Sequence, residues 1–254
     1  EDPAGLKSGQ YVPRIQQSRM SITGYSVSTE IAQQLWKGTW ICTAAFFFAS
    51  VSFIIQGVSP AYLLNHIHTG NRNIASPDST RYYSLTLSIV FATSLLLQSF
   101  WGKAGSWWGR KVVISIMLAL WLISSVIYLL AAVTETASIV LIAAIFQGLA
   151  GGCFVQGTAY VADISEEENF GQNQGMLTGW AAMALVAGMV AYALISSFVT
   201  TFIINLIAAA IGLLMAAGAL PDWSPPKEKR ISPSSKDIMY ALLPCNLVGR
   251  ACMM

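Results

Sequence analysis

The sequence predicts an all-α membrane protein built as a bundle of six transmembrane helices, and three observations carry that expectation. Of 254 residues, 55% are hydrophobic and 10% are charged, against about 25% charged in soluble domains. So few charges cannot cover a water-facing surface. Asp, Glu, Lys and Arg are absent from 38–71, 82–102, 112–134, 136–162 and 169–221. These stretches hold apolar runs of about 20 residues, the length that crosses a hydrocarbon core, and the last is about twice as long, so it holds two.

The elements follow in order. Residues 1–37 are a polar tail with Lys7, Arg14, Arg19 and Lys37. Within it, 28–37 reads either as a short amphipathic helix on the membrane surface or as disordered tail. Span one is expected at 40–64, with Gln56, Gly57 and Pro60 interrupting its second half. A polar loop with turn-forming residues fills 65–81. Span two is expected at 82–101, with Gln98 near its end, and a glycine-rich basic turn follows. Span three is expected at 112–133 and span four at 138–162, the latter with Gln147, Gln156 and a cluster of glycines at 148, 151, 152 and 157. After an acidic loop at 163–174 come span five at 175–196 and span six at 198–220, joined by a tight turn near Ser196 and Ser197. The bundle therefore fills 38–220.

Residues 221–236 read as a basic linker rich in proline and serine. Residues 237–254 turn apolar again, as the start of a seventh span would, or else form a disordered tail. The chain begins at Glu1 and stops at Met254 without a closing element, so it is expected to be a fragment or a truncated gene model.

Sidedness follows from Lys and Arg. Alternate segments place Lys7, Arg14, Arg19, Lys37, Lys103, Arg110, Lys111, Lys227, Lys229, Arg230 and Lys236 on one side, and only Arg72 and Arg81 on the other. Positive residues stay inside, so the N-terminus and the linker after span six are expected in the cytoplasm of an integral, multi-pass protein. The net charge of +2 gives no reason to expect nucleic acid. No cofactor is expected, and no metal: His66 and His68 lack further ligands, and the four cysteines lack ligand spacing. Cys42 and Cys153 fall in apolar runs, where a free buried thiol is the expectation.

The stretch between spans two and three reads Gly102-Lys-Ala-Gly105-Ser106-Trp107-Trp108-Gly109-Arg110-Lys111. It resembles the signature loop of the major facilitator superfamily, Gly-x-Leu-Ala-Asp-Arg-x-Gly-Arg-Lys, with Ser106 and Trp107 in place of the Asp and Arg. A second segment, Tyr160-Val-Ala-Asp163-Ile-Ser-Glu-Glu-Glu-Asn-Phe-Gly171, resembles the drug and tetracycline-transporter branch of that family. The resemblance covers spans one to six. It implies the N-terminal six-span half of a fold built from 3+3 inverted repeats, a missing C-terminal half as partner, and transport of a small solute by alternating access rather than enzyme chemistry. It also implies that Gly102, Gly105, Gly109, Arg110, Lys111 and Asp163 form a cytoplasmic gate, in which the glycines allow a tight turn and Arg110 or Lys111 pairs with Asp163.

Two family patterns depart. In span four the arginine that stands three residues before the Gln-Gly pair is Ala144 here, although Gln147 and Gly148 are kept. In span five, Gly188-Met189 stands where antiporters have Gly-Pro. With no acid inside any span to relay a proton, the expected cargo is a neutral or weakly polar solute. Candidates for lining its path are Gln56, Gln98, Gln147 and Gln156, because an amide facing lipid is costly and should turn inward. Gln56 leads, since Gly57 and Pro60 would expose backbone beside it; hydrogen bonding between helices is the other reading of each. Gly148 with Gly152, and Gly171 with Gly175 and Gly179, have the four-residue spacing that lets helices approach closely. The alternative to a transporter is a non-transporting six-span protein that binds a partner or regulates.

Overall fold

The computed structural model describes residues 29–222 apart from 167 and 196, and of 29–34 the backbone only. The expectations for the linker beyond 222, for 237–254 and for most of the N-terminal tail lie outside the described residues. Seven α-helices form six membrane-length segments: α1 (Thr29–Thr69), α2 (Pro77–Trp108), α3 (Arg110–Thr134), α4 (Ala137–Leu149), α5 (Cys153–Ile164), α6 (Phe170–Leu194) and α7 (Phe198–Leu214). A π-helical turn, Met215–Ala219, closes the last. α4 and α5 together make span four, and all six segments are long and apolar enough to cross a membrane.

Local chemistry sets the boundaries. Gly70, with φ +70°, follows the end of α1. The N-terminus of α2 carries a capping box: Ser79 N–H donates to Ser76 Oγ at 3.0 Å and Ser76 N–H donates to Ser79 Oγ at 2.9 Å, with Pro77 at the first helical position. Glu135, in the left-handed region at φ 50°, stops α3. Only Ile195 to Ser197 separate α6 from α7, where the tight turn is expected.

Four sequence expectations are corrected here. Residues 29–37 are continuous with span one instead of forming a separate surface helix, and α1 runs unbroken through Gly57 and Pro60. Pro60 leaves the Gln56 carbonyl without its helical donor, and beside it the Tyr83 hydroxyl donates to the Gly57 carbonyl at 3.0 Å. The glycine-rich stretch is almost wholly helical: α2 continues to Trp108, and the link to α3 is Gly109 alone. Its φ of 92° and ψ of 148° lie in a region essentially reserved for glycine. Span four, expected as one helix, is broken at residues 150–152.

Two apolar cores stack along the bundle. One, towards the end that carries Arg110, contains Cys42, Phe46, Trp101, Met117, Tyr160 and Leu177. The other contains Leu63, Leu64, Tyr128, Val140 and Phe202, with the Tyr128 and Phe202 rings stacked at 5.7 Å. Cys42 and Cys153 are free and buried. Burial is uneven between helices. In the most apolar stretch of α2, 11% is buried, and of α6, 22%, against 33–44% in the other four segments. α2 and α6 therefore turn apolar side chains such as Phe91, Leu95, Met183 and Val186 outward.

Candidate functional site

Two polar clusters stand out in this apolar chain. The first joins the ends of α2, α3 and α5. Gly109 turns the chain so that Arg110 opens α3 facing α5, and Arg110 Nε donates to Asp163 Oδ2 at 3.1 Å. Arg110 Nη1 donates to Gln156 Oε1 at 3.0 Å, and the other end of that amide, Nε2, donates to the Trp101 carbonyl at 2.8 Å. Trp101 Nε1 donates in turn to the Leu149 carbonyl at 2.8 Å. Gln156 is buried, whereas the Arg110 and Asp163 side chains are 23% and 37% exposed. The charges thus sit at the rim, and the amide carries their contact inward.

Gly105 is what lets these groups meet, because a Cβ there would collide with Arg110 Nη1 and lie 2.7 Å from Gln156 Oε1. The remaining signature residues play smaller parts. Gly102 is helical and exposed with open space around it, so it does not shape a turn. Lys111 is half-buried and makes no ion pair among the described residues. Ser106, which replaces the family's Asp, donates to its own helix at the Lys103 carbonyl. Trp107 and Trp108 pack edge-on against Phe100, as interfacial aromatics do.

The second cluster lies between the two cores and is uncharged. Gln56 Nε2 on α1 donates to Ser125 Oγ on α3 at 2.8 Å and to Ser52 Oγ at 3.2 Å. Ser124 Oγ donates to Gln56 Oε1 at 3.2 Å and to the Ala143 carbonyl at 2.9 Å. Ser52 Oγ donates to Asn205 Oδ1 on α7. All five side chains are buried, Gln56 with 1% exposure. Asn205 Nδ2 has no hydrogen-bond partner among the described residues. One amide therefore ties α1, α3, α4 and α7 together in the middle of the bundle.

The four glutamines proposed for a path thus fare differently. Gln56 and Gln156 are each committed to contacts between helices, and so is Gln147, whose Oε1 accepts from the buried Tyr128 hydroxyl at 2.9 Å. Gln98 is exposed on α2, contrary to the expectation that each amide turns into this bundle. Close packing is also redistributed. Gly148 meets α2, where a Cβ would lie 2.7 Å from Thr93 Cβ and 2.8 Å from the Val90 carbonyl, and Gly152 faces Met117. Gly171, Gly175 and Gly179 meet nothing within 4 Å and lie on the exposed face of α6, so their regular spacing does not mark a packed seam here. The tight α6 contact is Gly188 against Ile54.

Sequence reasoning missed Trp101, Asn205, Ser52, Ser124 and Ser125. Asn205 was findable, since it is the lone amide of span six, 198–220, and obeys the argument applied to the glutamines. Trp101 was not, because its role depends on a carbonyl 48 residues away.

At the opposite end a cavity of about 470 Å³ is lined by residues that include His66, Asn71, Arg72, Glu135 and Ser197. His66 Nε2 lies 3.7 Å from Glu135 Oε1, both partly exposed. His68 faces elsewhere, with Nδ1 2.8 Å from the Leu64 carbonyl.

Residues 41–249 match the family model described as Major Facilitator Superfamily. No curated protein matches the chain. The family match covers most of the chain, which belongs to the major facilitator superfamily: it is an integral, multi-pass membrane protein and a transporter of the major facilitator type, in a family of transporters and not enzymes.

Proposed function

We propose that this member of the superfamily moves a neutral or weakly polar solute by alternating access, and that Arg110 and Asp163 brace one of its two end states. The observation that carries the reading is the 3.1 Å pair between Arg110 Nε and Asp163 Oδ2. It ties α3 to α5 at one end of the bundle, and it sits where water can take up both charges if the pair parts. In transporters of this kind, access alternates as one bundle rocks against another around a fixed site.

The cargo reading rests on charge. The charge-free stretches hold no Asp, Glu, Lys or Arg, and such groups are the usual proton relays and counter-ions. The buried glutamine amides Gln56, Gln147 and Gln156 already have partners. A solute path on this half is thus polar only through neutral groups, and Gln98, exposed on α2, is a better candidate for it than Gln56.

The apolar faces of α2 and α6 support the reading of this bundle as about half of the transporter, working with a second six-span unit that covers them. The excess of Lys and Arg at the Arg110 end supports a cytoplasmic placement of that end.

The test is uptake by the complete protein in sealed vesicles, using a panel of neutral polyols, amides and small aromatic solutes. Uptake of at least one is expected, insensitive to collapse of the proton gradient and lowered about tenfold by Arg110→Ala. A cysteine at Ser106 should react with an impermeant maleimide only from the cytoplasmic side. A folded protein that takes up none of the panel contradicts the transport reading.

A further inference from the structure

We propose that Gln156 is a positioning residue that couples the Arg110–Asp163 pair to the break in span four, so that pair and break loosen together. The consequence for transport rests on the alternating-access reading above; the coupling itself does not.

The argument starts at the break. In an unbroken helix the Cys153 N–H would donate to the Leu149 carbonyl, four residues back. Here it donates to the Ala150 carbonyl at 3.0 Å, which frees the Leu149 carbonyl in the middle of an apolar segment. A freed carbonyl there must find a partner within the protein. The Trp101 indole supplies it, at 2.8 Å. Trp101 is also the residue whose backbone carbonyl accepts from Gln156 Nε2. One residue of α2 therefore holds both halves of span four, α4 through Leu149 and α5 through Gln156. Those two bonds tie both halves to one point on α2.

Gln156 then carries the constraint to the rim. An amide has a donor for the Trp101 carbonyl and an acceptor for Arg110, and it uses both. If Arg110 leaves, the buried Gln156 Oε1 loses its hydrogen-bond donor, and an unsatisfied buried acceptor is costly. The side chain must turn to recover one, which drops the bond to Trp101 and loosens the break. The reverse holds as well, since coupling between two sites is reciprocal.

The test is hydrogen–deuterium exchange of the full chain in lipid nanodiscs, read in peptides covering 148–153, with 117–128 as the reference for intact folding. Arg110→Ala is expected to speed exchange at 148–153 about fivefold, the factor that one net hydrogen bond represents. Gln156→Leu should do at least as much. Gln156→Glu should also speed it, because a carboxylate keeps Arg110 but has no donor for Trp101. If Arg110→Ala speeds exchange at 105–112 yet leaves 148–153 at the wild-type rate, the coupling is overturned.

Should Arg110→Ala fail to fold, Gly105→Ala asks the same question. Its Cβ displaces only the flexible ends of Arg110 and Gln156. An unchanged break in that variant would also overturn the proposal. Exchange is read without a solute, so a failure to transport and a failure of coupling are separate results.

Discussion

The two polar clusters use the same part, a buried glutamine amide bridging helices, and put it to opposite uses. Gln56 sits 1% exposed among hydroxyls and one asparagine, with no charged partner among the described residues. Gln156 is as buried, but its chain of bonds ends on Arg110 and Asp163, which are 23% and 37% exposed. Parting the first cluster would strand donors and acceptors in an apolar interior, at about 1–3 kcal/mol for each group left unsatisfied. Parting the Arg110–Asp163 pair releases two charges to water, and ion pairs this exposed contribute about 0–1 kcal/mol, with the single Gln156 acceptor the only buried group at stake behind them. The magnitudes decide the roles: the middle of the bundle is a fixed brace, and the rim is where it can open.

Substitutions should divide along that line. The largest effect is expected from Gly148→Ala. Its Cβ would lie 2.8 Å from the Val90 carbonyl, a backbone atom, so α2 and α4 must move apart. Overpacking of this kind costs about 1–3 kcal/mol, read as a fall of several degrees in thermal midpoint in detergent. Gln56→Leu should cost less, about 1–2 kcal/mol. Ser52, Ser124 and Ser125 each keep another acceptor, on Asn205, Ala143 and Trp121, and bonds between membrane helices average below 1 kcal/mol. A cost for Arg110→Ala as large as that of Gly148→Ala would erase the distinction between brace and rim.

The bundle itself was legible because charge-free length is a direct consequence of the bilayer, and six such lengths leave little freedom. The ends of the helices were less so. Span one was expected at 40–64 and occupies Thr29–Thr69, since the polar residues of its first turns fit a helix as well as a tail. Pro60 misled for a different reason: a membrane helix tolerates proline when neighbouring helices support the loosened turn, and the Tyr83 hydroxyl that donates to the Gly57 carbonyl there is 26 residues away. The break at 150–152 lay inside an apolar run whose glycines read only as packing residues.

At the site, the pairing of Arg110 with Asp163 was expected from the resemblance, and the two are indeed joined. The link from that pair to Gln156 and Trp101 was invisible, because it needs the three-dimensional approach that Gly105 permits. The glycines of α6 show the converse. Their spacing was perfect and their surroundings are empty, so spacing alone could not say which face of a helix is covered.

The most direct test of a rim that opens against a fixed middle is the distance between spin labels at Ser106 and Glu166, exposed positions near the ends of α2 and α5. Measured by pulsed electron resonance in nanodiscs, the wild type should give two separated distance populations, and Arg110→Ala should shift weight to the longer one while Gln56→Leu leaves the ratio unchanged. A single narrow distance that is the same in all three proteins would contradict the account.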